Sequence, residues 1–266
     1  MTVLNTGHAE PGQDGQLSVP FTGGKALLNF SIIDTESRKS HGPLRNRKRR
    51  RIMKLVPVVR TLLVMLLAIN PAPILAADNM VELPLLAAVR NNGLGVFEVM
   101  MMWWDQKPAP DPIQLQWIIG GVKYGKSRLG SMAEAFDYAV DRTPSIRHTG
   151  TVSVQGVTYQ PTGSDGPSAG AAMAVGFIAM FKGDRVHRGT ALTGTIEPDG
   201  HIGWVGSIPD KIHAAKREGY HTVLVPRGQI RTPQWNLVEL GFQLNIAVKE
   251  VDTIDEAYEL MTGKPI

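Results

Sequence analysis

Residues 167–181 read Pro-Ser-Ala-Gly-Ala-Ala-Met-Ala-Val-Gly-Phe-Ile-Ala-Met-Phe and carry no charge. An alanine-rich segment of this length predicts a helix, and a helix that is apolar on every side has to be surrounded. The rest of the chain must therefore supply elements that enclose it. With 266 residues, 43% hydrophobic and 20% charged, the chain has the material of one large domain or two small ones, and its composition excludes a disordered protein. It contains no cysteine, which removes disulfides, thiol nucleophiles and thiolate metal sites.

The formal charge of +4 is unevenly placed. Residues 1–52 hold nine basic and four acidic residues, whereas residues 78–266 hold 17 basic and 20 acidic ones. The basic balance belongs to the leader, so nucleic acid is not an expected partner. Within that leader, Arg45 to Arg51 is a basic run. The apolar core Thr61 to Ile69 follows, flanked by Lys54 and Arg60 and ended by Asn70-Pro71-Ala72-Pro73 and the small residues Ala76-Ala77. A positive flank, a short apolar core and a small-residue exit predict a secretory signal over 53–77, cleaved near Ala76 or Ala77. The alternative is a membrane anchor retained through 55–77. Met53-Lys54 suits a translation start, so residues 1–52 are expected to be a dispensable basic extension or a start-site artefact. The working domain is then residues 78–266, exported to a periplasmic or extracellular space.

The pattern along this domain mixes hairpins with βα steps, which predicts an α+β fold. Strands are expected over 95–104, 113–119, 149–154, 190–196, 201–205, 222–225 and 244–248. Helices are expected over 132–140, 167–181, 207–218 and from the Thr253-Ile254-Asp255-Glu256 capping box to about Met261. Ser207 is the expected cap of its helix, with Pro209 in the first turn and Gly219 as the stop.

Gly120-Gly121-Val122-Lys123-Tyr124-Gly125-Lys126-Ser127 fits the spacing of a phosphate-binding loop. Leu129-Gly130-Ser131 intervene before the helical pattern, and no apolar run ending in Asp offers a magnesium partner. A plain basic loop between strand and helix is the preferred reading, with no cofactor. The five histidines after the leader (His148, His187, His201, His213 and His221) lack metal-ligand spacing, so no metal is expected. No G-x-S-x-G elbow occurs.

The chemically informative stretch is Gly163-Ser164-Asp165-Gly166-Pro167-Ser168-Ala169-Gly170. Pro167 suits a first helical position, which would place Ser168 among unpaired amides at the positive end of the helix dipole. Such amides would stabilise an oxyanion, and Ala169 and Gly170 leave room for a substrate backbone. A nucleophilic serine needs a base. Without a supported histidine, lysine remains, provided burial or positive potential brings its amine toward neutrality. Lys211 stands between Pro209 and the apolar Ile212, Ala214 and Ala215, at the positive start of a helix, and meets both conditions.

Together these stretches resemble the proteolytic domain of the Lon proteases, the S16 family of Ser–Lys endopeptidases. The resemblance rests on Asp165-Gly166-Pro167-Ser168-Ala169-Gly170, Leu192-Thr193-Gly194-Thr195-Ile196, Asp199-Gly200, Gly203, Val205-Gly206, Ile208, Lys211, Ala214-Ala215 and Gly219. It covers residues 150–226 well and 93–149 weakly. It implies the family's compact α+β fold, related to domain 2 of ribosomal protein S5. It also implies Ser168 as nucleophile, Lys211 as general base, Thr193 as the residue orienting the lysine, and Asp165 and Gly166 as shaping the approach to the site.

Two positions depart from the family pattern. Thr195 stands where ATP-dependent members have Glu, which looks more like stand-alone exported relatives without an ATPase. Gly206-Ser207 replaces the usual Gly-Gly. The expectation is an ATP-independent serine endopeptidase acting on unfolded proteins or peptides, with a homo-oligomer suggested by the family alone. The rival readings are an inactive Lon-like binding or assembly module, and a proteolytic subunit serving a separate ATPase.

Overall fold

The computed structural model describes residues 80–89, 93–108, 112–118, 123–158 and 163–266. The expected extension 1–52, the signal or anchor 53–77, and Gly120 to Val122 of the phosphate-loop-like stretch lie outside the described residues. The elements in chain order are β1 (Met80–Val89), β2 (Leu94–Asp105), β3 (Gln114–Ile118), β4 (Lys123–Tyr124), α1 (Lys126–Arg142), β5 (Thr151–Val157) and β6 (Gly163–Ser164). Then follow α2 (Gly170–Lys182), β7 (Thr190–Leu192), β8 (Thr195–Ile196), β9 (Ile202–Gly203), α3 (Ile208–Arg217), β10 (Thr222–Pro226), α4 (Leu237–Leu244), β11 (Ala247–Val251) and α5 (Ile254–Thr262).

Helix α2 behaves as its composition requires: every residue from Gly170 to Phe181 is buried. One wall around it is a four-stranded sheet in the order β1-β2-β5-β3, antiparallel except for the β3–β5 pair. Met100, Met102 and Trp104 of β2 join the core cluster that contains α2, while Met101 and Trp103 on the other face are partly exposed. The apolar run of β2 is thus fully covered on one face only. Pro84 lies opposite Val99 inside β1, an edge strand, where a missing backbone donor is tolerated. Helix α1 closes a second side of α2, with Phe136 edge-on to Phe177 at 5.3 Å between ring centres. Each large apolar side chain buried here contributes roughly 1.5–3 kcal/mol.

A parallel sheet in the order β11-β10-β7 carries the C-terminal half. Ala191 of β7, Val223 and Val225 of β10, and Ile208, Ile212 and Ala215 of α3 share a second apolar cluster. The α+β expectation is met. Five local readings need correction. Helix α1 begins at Lys126, not near Met132, so no linker separates it from the phosphate-loop-like stretch. Helix α2 begins at Gly170, not at Pro167. The strand expected over 190–196 is broken at Thr193-Gly194. Leu244 ends a helix, α4, and the strand expected from it starts instead at Ala247. Ser207 precedes α3 in the left-handed conformation and makes no side-chain cap.

Candidate active site

The break at Thr193-Gly194 builds the site. The Thr193 amide still donates to Leu224 O of β10 at 3.1 Å, as a strand residue would. The chain then turns away, and the Gly194 amide donates to Ser168 O at 2.9 Å, while Gly194 O accepts from the Ala171 amide at 3.1 Å. The start of α2 and the end of β7 are thereby tied together. The Thr193 hydroxyl adds a second donor to Ser168 O, at 3.1 Å. It also accepts a hydrogen bond from Lys211 Nζ at 3.0 Å. Lys211, Thr193 and the Ser168 backbone form one chain of contacts. Among the described residues no hydrogen bond joins the Ser168 hydroxyl directly to Lys211 Nζ.

Lys211 comes from the first turn of α3 and is 3% exposed. Burial disfavours its ammonium form, and the positive charge of Arg128 adds to that, so its pKa falls from 10.5 to about 7. Burial is the cause foreseen from sequence. The second cause comes from a residue far away in the chain, on α1.

Ser168 is half-buried in the turn before α2. Because the helix starts later than expected, its first amides are already used: Gly170 N donates to Pro167 O at 2.9 Å and Ala171 N to Gly194 O. An oxyanion beside Ser168 would draw on the amides of Ser168 and Ala169 instead, the latter at the buried N-cap position of α2. Gly166 takes φ +107°, a conformation that suits glycine, and turns the loop between Asp165 and Ser168.

Asp165, expected to shape the approach, ties the serine loop to α1. Its Oδ1 accepts from the Arg128 amide at 3.1 Å and from the Gly166 amide at 2.8 Å. A Cβ at Gly125, the N-cap of α1, would lie 2.3 Å from the Asp165 carboxyl carbon. The glycine that gave this stretch its phosphate-loop look is the space into which Asp165 fits. The N-terminus of α1 holds a carboxylate of the chain itself, which would repel a phosphate. Ser131 Oγ of α1 donates to Pro167 O at 3.2 Å, a second tie between α1 and the serine loop.

Sequence reading missed Arg128 and Glu98, both almost completely buried. Both carboxylates, Glu98 and Asp165, raise the pKa of Arg128 against the lowering effect of burial. No motif marked either residue: Arg128 follows Lys126-Ser127, the end of what reads as a plain basic loop between strand and helix.

Residues 148–262 match the family model described as the Lon protease (S16) C-terminal proteolytic domain. A Lon protease of Haemophilus influenzae is 37% identical over 106 residues, covering 39% of this chain and 13% of the relative. Lon protease 2 of Syntrophobacter fumaroxidans is 33% identical over 101 residues, 37% of this chain and 12% of the relative. Lon protease homolog 2, peroxisomal, of Caenorhabditis briggsae is 29% identical over 100 residues, 38% of this chain and 13% of the relative. The matched part of the chain therefore spans about an eighth of the length of these relatives.

Proposed function

We propose, from the match of residues 148–262 to the Lon protease (S16) C-terminal proteolytic domain, that the chain is a serine endopeptidase that cleaves unfolded proteins or peptides with a Ser168–Lys211 dyad. The observation that carries this reading is the buried Lys211 amine, brought near neutrality and bonded through Thr193 to the backbone of Ser168. The free amine takes the Ser168 hydroxyl proton as Oγ attacks the peptide carbonyl carbon. The oxyanion is held by amides at Ser168 and Ala169. When the C–N bond breaks, the Lys211 ammonium returns its proton to the leaving amine. Water, deprotonated by the same amine, then releases the acyl group from Ser168. Catalytic hydrogen bonds often close only when substrate is bound, so the path through Thr193 is a suitable resting arrangement.

The reading includes independence from nucleotide, supported by the Asp165 carboxylate at the N-terminus of α1 and by Thr195. It also includes export by the leader, supported by the charge and apolar pattern of residues 45–77. The test is casein cleavage by the full chain without ATP or magnesium. Ser168→Ala and Lys211→Met are each expected to abolish it while the circular dichroism spectrum is retained. Full activity in either variant would refute the dyad, and a strict nucleotide requirement would refute the second part.

A further inference from the structure

We propose that Gly95 is a positioning residue of this site: by letting the backbone of β2 touch the first turn of α3, it sets where Lys211 stands relative to Thr193 and Ser168. The inference rests on the dyad reading and extends it to a residue outside the motifs. Gly95 is the second residue of β2 and pairs with Ala88 of β1. A glycine inside a strand weakens it and marks a place where another backbone comes close. Here that backbone is α3. A Cβ added to Gly95 would lie 1.8 Å from the Asp210 carbonyl oxygen, 2.5 Å from its carbonyl carbon and 3.0 Å from the Ala214 Cβ. The first two atoms are main chain, in the peptide group that carries the Lys211 nitrogen, so no side-chain rotation relieves the contact. The two backbones would have to part by more than an ångström.

The last turn of the helix holds the same glycine, for the Arg217 guanidinium donates to Gly95 O. Asp210, Ala214 and Arg217 are spaced four and three residues apart, which makes them one face of α3, seated on β2. Lys211, the next residue after Asp210, projects to one side of that face and reaches Thr193 of β7 at 3.0 Å. A shift of α3 on Gly95 therefore moves the amine relative to Thr193, and relative to the Ser168 backbone that Thr193 also holds. Burial of Ile208, Ile212 and Ala215 in the second apolar cluster does not by itself demand so close an approach. The closeness is intelligible if the place of the first turn matters, since a misplacement of about 1 Å can cost on the order of 100-fold in rate.

The experiment compares the full chain with Gly95→Ala. Gly95 has no left-handed φ, so alanine there adds the contact without backbone strain. Gly241→Ala is the packing control: its Cβ would meet Ile246 O at 2.7 Å and Val248 rather than α3. Steady-state kinetics on a fluorogenic peptide are read beside melting curves. NMR of 13Cε-lysine-labelled protein follows the Lys211 amine, its signal assigned by loss in Lys211→Met. Both variants are expected to melt lower than wild type. Gly95→Ala alone loses kcat, by roughly 100-fold with KM little changed, and its Lys211 midpoint rises by about one pH unit as water reaches the amine. A folded Gly95→Ala with the wild-type kcat and midpoint overturns the inference, as does an equal loss of kcat in Gly241→Ala. Where Gly95→Ala does not fold, Arg217 decides. Arg217→Met is expected to lower kcat by about threefold to tenfold and Arg217→Lys, still able to donate to Gly95 O, to keep most of it. An unchanged kcat in Arg217→Met then overturns the inference. Failure of the dyad itself reads differently: wild type neither cleaves casein nor reacts at Ser168 with a fluorophosphonate, while the midpoint in Gly95→Ala still reports whether the glycine seats the amine.

Discussion

Lys211 Nζ donates to Thr193 Oγ1 across 3.0 Å, and both atoms belong to buried residues. A neutral amine has two hydrogens and one lone pair. Spending a hydrogen on Thr193 fixes the amine's orientation and, in the proposed dyad, would leave its lone pair for the Ser168 hydroxyl. Thr193→Val preserves the shape but removes the acceptor for Lys211 and a donor to Ser168 O. It is expected to lower kcat by roughly 10–100-fold, from lost orientation of the base, with KM little changed. Thr193→Ser should retain most activity. Steady-state kinetics on a fluorogenic peptide, with melting curves as the fold control, provides the check.

The pH profile follows from the same amine. As the proposed base, Lys211 would act only as the free amine, and its pKa is lowered to about 7 by burial and by Arg128. Cleavage should therefore rise with pH through about 7 and level off above it. An ordinary exposed lysine would place that limb near 10.4. Measuring kcat/KM from pH 5 to pH 10 separates the two, and a limb above about 9 would contradict a neutral buried base.

Stability responds in a related way. The folded state binds the Lys211 proton less tightly than the unfolded chain, so between about 7 and 10.5 the unfolded state carries more protons. Stability from this group thus rises with pH across that window, by up to roughly 1.4 kcal/mol per pH unit, and the full penalty is present below it. Lys211→Met removes the penalty. The variant is expected to melt higher than wild type at pH 7 and to lose that advantage as pH approaches 10.5. Thermal melts of both proteins at several pH values decide this, and a variant that melts lower at pH 7 would contradict it.

These expectations draw on parts of the chain that differed in how openly the sequence showed them. The uncharged run at 167–181 announced an enclosed helix, because only a buried helix can be apolar all round. The capping box was equally plain: Thr253 Oγ1 accepts from the Glu256 amide at 3.3 Å. Helix α4 had a comparable start, Asn236 followed by Glu239, whose amide donates to Asn236 Oδ1 at 3.4 Å. The β-like run Leu244 to Val248 hid it, since a short apolar run reads equally well as strand or helix end. The break at Thr193 was not legible. Nothing local to 190–196 says that its backbone leaves β10 to pair with a loop some 25 residues earlier. Paired motifs in order made Ser168 and Lys211 legible as candidates. The influence of Arg128 on Lys211 depends on three-dimensional proximity that no spacing encodes.

Ser207 yields the last prediction, because the structure reverses its expected role. It was expected to cap α3, yet its side chain makes no cap bond, and it takes φ 54°, ψ 36°. A non-glycine residue there is strained by about 1–2 kcal/mol. The family pattern has glycine at this position, which suffers no such strain. Glycine also loses more backbone freedom on folding, which offsets roughly 0.5–1 kcal/mol of the gain. Ser207→Gly is therefore expected to stabilise the protein by about 0.5–1 kcal/mol. Its effect on cleavage should be small, because the backbone geometry is already the one glycine prefers and the Lys211 amide still donates to residue 207 O, at 3.2 Å in the present chain. Urea denaturation of both proteins measures the difference. A destabilised Ser207→Gly would mean that the hydroxyl contributes a stabilising contact in solution, and that the left-handed turn is not where this helix start stores strain.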